Sequence, residues 1–200
     1  VRGLTVREFF HRASQGRRSD TGFKEFIKDS KVVDKKGEPL VVYHGTAAKD
    51  FKEFDTSSEN QLGSHFGTAD QANISVLEGR VIPVYLNIKN PIRTFDLGDF
   101  TDMGMLEEGF GPATDGPFTK AEFDKFNTPE DVRAGLEAKG YDGVVYTNTF
   151  EHKNEEVADT YIAFHPEQIK SIYAKKWVMA RNEARELADS ALWGKDSLIK

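Results

Sequence analysis

Three short stretches hold the side chains from which a reactive or ligand-holding site could be built. His44, Gly45 and Thr46 follow the apolar run 40–43, and they offer an imidazole, a backbone open to close approach, and a hydroxyl. Gly63 and Gly67 bracket Ser64, His65 and Phe66 in the stretch GSHFG, which places two flat side chains between turn-forming glycines. Glu151, Glu155, Glu156 and Asp159 gather in a polar segment, and a carboxylate there could stabilise positive charge developing in a bound ligand. Taken singly, each has an ordinary structural role. A His at the end of an apolar strand is most often packed or capping, Phe66 alone would be a core aromatic, and a Glu in a polar loop is most often solvated. Only their order along one chain favours chemistry.

Several chemistries are excluded or left without support. The chain has no Cys, which removes thiolate nucleophiles, disulfides and Cys-ligated zinc and is compatible with a reducing compartment. The five His residues, at 11, 44, 65, 152 and 165, form no H-E-x-x-H pair, and no EF-hand spacing occurs, so a metal-dependent hydrolase is a rival without a motif and no metal site is expected. No glycine-rich dinucleotide fingerprint is present, which argues against hydride transfer. The net charge of −6 disfavours a broad grip on nucleic acid. Arg12, Arg17 and Arg18, and Lys170, Lys175 and Lys176, are runs short enough to be solvated surface. No apolar run reaches membrane-spanning length, and the start carries neither Met nor a signal-peptide core, so the chain reads as a segment of something longer, monomeric or embedded.

The elements that must position these residues follow from pattern and punctuation. Two hundred residues suit one domain with extensions, divided here as an N-terminal helical extension 1–22, a core 23–176 and a C-terminal helix 177–200. Residues 5–15 read as an amphipathic helix and 23–30 as a further helical turn or two. A turn at 34–39 delivers the buried strand 40–43, and the chain leaves the sheet at His44. GSHFG reads as a loop opening a helix over 68–77 with Thr68 as cap. The run 81–88 is a mostly buried strand whose Pro83 implies an edge or a bulge, and Asn90 and Pro91 close it. Residues 96–116, rich in Gly, Asp and Pro, read as a flexible insertion suited to recognition. Thr128 caps a helix with Pro129 in its first turn and Gly140 after its end. Strands over 141–146 and 160–164 make a hairpin with a long connection, and 168–173 is a last strand before the helix 178–192.

The succession YHGT, GSHFGTA, VIPVYLNIKNP, GYDGVVYTN and TYIAFHPEQIKS resembles the ADP-ribosyltransferase domains of phage and mobile-element polyvalent proteins. More distantly it is similar to the poly(ADP-ribose) polymerase and diphtheria-toxin branch of that superfamily. The likeness spans about 23–173. It implies an α+β fold with two small, mostly antiparallel sheets splayed around an NAD cleft and helices on the flanks. It further implies NAD as substrate, cleavage of the nicotinamide glycosidic bond through an oxocarbenium-like state, and transfer to a macromolecular acceptor, a host protein or nucleic acid, in a bacterial cytoplasm. By that resemblance Tyr43, His44, Gly45, Thr46 and Gly63 hold the dinucleotide, His65 and Phe66 border the nicotinamide, and His44, His65 and Glu151 carry the catalysis. Two positions depart from the polymerase-like pattern: His65 stands where a Tyr is expected, and Thr160 where the catalytic Glu is expected, which moves that role to Glu151. Without an Arg on the first strand or an E-x-E turn, arginine-specific modification is not indicated. An NAD glycohydrolase and a non-catalytic binding module are the alternatives.

Overall fold

The computed structural model describes residues 21–48, 54, 56, 61–74, 79–151 and 157–172; the helices expected over 5–15 and 178–192 lie outside them. The described elements run α1 (Thr21–Phe26), β1 (Val42–Thr46), β2 (Ser64–Phe66), α2 (Ala69–Ile74), β3 (Arg80–Leu86), β4 (Pro91–Thr94), α3 (Met103–Phe110), α4 (Lys120–Phe123), α5 (Pro129–Ala138), β5 (Gly143–Thr147), β6 (Asp159–Ala163) and β7 (Ile169–Ser171). They build the expected α+β architecture. One sheet has three strands in the order β1-β3-β7, the other four in the order β2-β6-β5-β4, and β4 against β5 is the only parallel pairing among the described strands. None of the described helices is long and apolar enough to cross a membrane.

Strands β3 and β5 are largely apolar without polar alternation because both of their faces are covered. On β5, Val144 and Tyr146 face one core cluster while Val145 faces another; on β6, Ile162 and Ala163 divide in the same way. On β3, Val84 and Leu86 point into the gap between the sheets and Tyr85 points to the outer cluster with Phe23 and Phe26 of α1. Three layers of core thus sandwich two sheets. The sheets are stitched where Tyr43 and Gly67 exchange backbone hydrogen bonds at 2.9 and 3.0 Å.

The helix ends behave as the sequence indicates. Thr128 and Asp131 form a reciprocal capping box on α5 with Pro129 beside it, and Gly140 takes a φ of +90° just beyond the helix. The Thr68 hydroxyl accepts the Gln71 N–H at the start of α2; residues 75–78 lie outside the described chain.

Four expectations are corrected. The 96–116 segment is no flexible insertion: it carries α3 and a 3₁₀ turn over Pro112–Thr114, and Leu97, Phe100, Leu106 and Phe110 are at most 5% exposed. Its Asp and Gly residues resemble loop composition because they make caps and turns. Asp102 caps α3 and Gly98 takes a φ of +72°, while the apolar residues between them dock on the four-stranded sheet. Ser64–Phe66 is a strand and not a loop, paired to β6. Asn90 and Pro91 do not end strand structure; Pro91 is the first residue of the edge strand β4, where its missing N–H is tolerated. Pro83 lies in a central strand, opposite Tyr43. It is accommodated because Tyr43 turns its own N–H and C=O to Gly67, and because the register with β7 begins only at Val84.

Candidate functional site

His44 does not leave the sheet, as expected, but stays within β1 opposite Ile82. The two-residue period of the strand turns it with Val42 into the gap between the sheets. There its ring meets Phe54 edge-on at 5.2 Å and Phe66 at 5.4 Å. Its Nδ1 lies 2.9 Å from the carbonyl oxygen of His65. A carbonyl only accepts, so Nδ1 carries the proton and Nε2 has acceptor character. Burial holds the imidazole below its ordinary pKa, so at neutral pH it is an uncharged acceptor.

His65 pairs with Ile162, and Thr160 with Tyr146. The strand period therefore puts His65, Thr160 and Tyr146 on one face of the four-stranded sheet. His65 Nδ1 is 3.3 Å from the Tyr146 hydroxyl, and its ring stands edge-on to Phe100 at 5.4 Å. Burial, and then the neighbouring His44, lower its pKa to about 4. Burial also pushes the Tyr146 hydroxyl well above its ordinary range, so this tyrosine is a neutral donor.

These groups line a cleft of about 980 Å³, within the size of small-molecule sites. Glu151, Asp96 and Asp99 also line it. Glu151 Oε2 accepts from Asn148 Nδ2 at 2.9 Å. Asp96 accepts the N–H groups of Thr149 and Gly98, and Asp99 accepts both the N–H and the hydroxyl of Thr101 at 2.7 Å, bonds that hold its carboxyl below the usual range. Two neutral imidazoles and three carboxylates thus line one cavity. Such a cavity suits a ligand that carries positive charge beside these carboxylates.

The expected site residues are mostly brought together. Tyr43, His44, Gly45, Gly63, His65, Phe66 and Glu151 all line the cleft, whereas Thr46 is outside its described lining and accepts the Ala48 N–H at 3.2 Å. Tyr43 buries its ring in the outer cluster. Phe66 is 1% exposed and supports His44 from beneath, which leaves His65 as the more accessible flat face. Gly63 is packed hard on β6, where a Cβ would stand 2.4 Å from the Ala163 carbonyl oxygen. Asp159 is turned away: it is on β6 next to Thr160, forms a bidentate pair with Arg93 at 3.1 and 2.6 Å, and does not line the described cleft. His152, Glu155 and Glu156 lie outside the described residues.

Sequence reasoning missed Tyr146, Asn148, Asp96 and Asp99. The first two were within reach, since Tyr146 and Asn148 continue the alternation that Val144 begins on β5. Asp96 and Asp99 were hidden by their placement in a segment read as an insertion. Among the described residues, no group of three His, Cys, Asp or Glu is arranged to hold a metal ion.

A family model described as "ADP-Ribosyltransferase in polyvalent proteins" matches residues 34–178, which include every element from β1 to β7 and the whole described cleft. No curated protein and no solved structure matches the chain.

Proposed function

The chain belongs to the ADP-ribosyltransferases of polyvalent proteins, and we propose that it breaks the nicotinamide glycosidic bond of NAD in the cleft that runs from His44 to the His65 and Tyr146 face of the four-stranded sheet and passes ADP-ribose to a macromolecular acceptor. ADP-ribosyltransferases use NAD as substrate, and the observation that carries the reading is that Glu151, Asp96 and Asp99 line one cavity with His44 and His65. The nicotinamide ring of NAD is cationic, and when it leaves with the bonding electrons the positive charge passes to the ribose. Carboxylates held in place before the reaction stabilise that charge without reorganising.

In this reading His44 Nε2 accepts a hydrogen bond from a ribose hydroxyl, and Gly45 lets the carboxamide approach the strand backbone. His65, edge-on to Phe100 and near Tyr146, borders the nicotinamide as a neutral ring that does not repel it. Glu151 lies closest in role to the missing family glutamate and orients the ribose. A host protein or nucleic acid is the acceptor class favoured by the phage and mobile-element resemblance.

One observation supports a second reading. Thr160, at the position of the polymerase-like glutamate, is 3% exposed and hydrogen-bonded within the fold, so a module that binds NAD or ADP-ribose without cleaving it would have the same pocket. Nicotinamide release from NAD separates the two. The unmodified chain is expected to release nicotinamide and the His44→Ala and Glu151→Gln variants to lose most of it; saturable NAD binding with no release would make the chain a recognition module. Release that continues in buffer, with no label passing from NAD to macromolecules in lysate, would make it a glycohydrolase.

A further inference from the structure

A carboxylate on a connection is held only as well as its local hydrogen bonds hold it, and among the described residues those of Glu151 come from Asn148. Asn148, 2% exposed, accepts the N–H groups of Phe150 and Glu151 on its amide oxygen at 3.2 and 2.8 Å. Its amide nitrogen donates to Glu151 Oε2 at 2.9 Å and to the Thr160 hydroxyl at 3.3 Å. Two donors and two acceptor positions are therefore all engaged. The chain of bonds continues inward. Thr160 donates to Gln71 Oε1 at 3.3 Å, the same oxygen takes the Thr68 N–H at 2.7 Å, and Gln71 Nε2 donates to the Ala158 carbonyl at 3.3 Å. Gln71 and Thr160 are 5% and 3% exposed.

This buried relay ties the Glu151 turn to the start of α2, the helix that follows the strand bearing His65. A fully satisfied polar network in a poorly hydrated setting is stiff and specifies one geometry. Asn148 lines the cleft but is 2% exposed with its amide engaged within the fold, so its part is played through Glu151. We infer that Asn148 is the positioning residue of the site, aiming the Glu151 carboxylate into the cleft through a relay anchored by Thr160 and Gln71. The inference rests on the proposed reading of the cleft as the place where NAD is cleaved.

Asn148→Asp is the sharp test because it keeps the size of the side chain and the oxygen that accepts the turn N–H groups. It replaces the donor to Glu151 with an oxygen that repels it. In a nicotinamide-release assay, kcat is expected to fall about 10- to 100-fold while KM for NAD stays within about threefold, since geometry at the reacting centre is lost and ground-state binding is kept. In a Glu151→Gln background the same substitution is expected to add less than about twofold, because two residues acting through one carboxylate are not additive. Wild-type kcat in Asn148→Asp, or losses that multiply in the double variant, would overturn the inference while leaving the functional reading intact. Should Asn148→Asp not fold, Thr160→Val carries the same test: a several-fold loss in kcat that vanishes beside Glu151→Gln supports the relay, and none refutes it. An unmodified chain that releases no nicotinamide would overturn the functional reading and this inference with it.

Discussion

The two halves of the cleft are built differently. His44, His65, Tyr146 and Thr160 stand on strands, where backbone pairing sets their direction. Glu151, Asp96 and Asp99 stand on connections, where each carboxylate is held by side-chain and backbone hydrogen bonds of its own neighbourhood. The strand half is uncharged, its imidazoles kept neutral by burial; the connection half carries the negative charge. A ligand across the cleft is thus gripped by a rigid neutral wall and polarised by a charged wall whose precision depends on small local networks.

The largest expected effect lies in the charged wall. Glu151→Gln keeps the shape and the bond to Asn148 but removes the charge, and kcat for nicotinamide release should fall about 100- to 1000-fold, the scale of losing one preorganised electrostatic partner. A fall below about threefold would transfer the role to Asp96 or Asp99.

In the neutral wall the leading effect is on stability. The unfolded His65 imidazole takes up a proton near its ordinary value of 6.5, whereas the folded one resists until about 4. The unfolded state therefore binds more protons in that window. Stability from burying His65 uncharged is present at neutral pH and lost as pH falls from about 6.5 towards 4, by on the order of 3 kcal/mol at most. Urea unfolding at pH 7 and pH 5 should show a steeper loss in the unmodified chain than in His65→Phe; equal slopes would mean that His65 is not held neutral.

Gly63→Ala tests the packing under that wall. The added Cβ would meet the Ala163 carbonyl and the Ile162 side chain, at 2.4 and 2.8 Å, so destabilisation of about 1–3 kcal/mol is expected by urea titration. The smallest effect belongs to Asp102→Ala, which removes the cap of α3 and should cost about 1 kcal/mol. An unchanged midpoint would restore the view of 96–116 as a segment detached from the fold.

The same division decides what could be read from the sequence. Strands β3, β5 and β6 and the capped helix α5 were legible because apolar runs and capping residues act locally. His44 was legible as a candidate because it adjoins such a run, and His65 because it stands beside Phe66 between two glycines in a stretch that carries the resemblance. The turn half was not. Strand β2 has three residues and β4 four, too few for a period to register, and α3 presents only Leu106 and Phe110 one turn apart between Asp and Gly residues that look like loop. Glu151 was reached through resemblance alone. Asn148, which the turn geometry makes central, looks in sequence like any polar residue after a strand, because its partners Gln71 and Thr160 are distant along the chain and close only once the sheets form.

A crystal structure with a carbocyclic NAD analogue, whose nicotinamide bond cannot break, tests the central claim most directly. The account predicts the nicotinamide against His65, a ribose hydroxyl on His44 Nε2 and the glycosidic carbon facing Glu151. An analogue bound elsewhere on the surface, or lying in the cleft with its ribose turned away from Glu151, would contradict it.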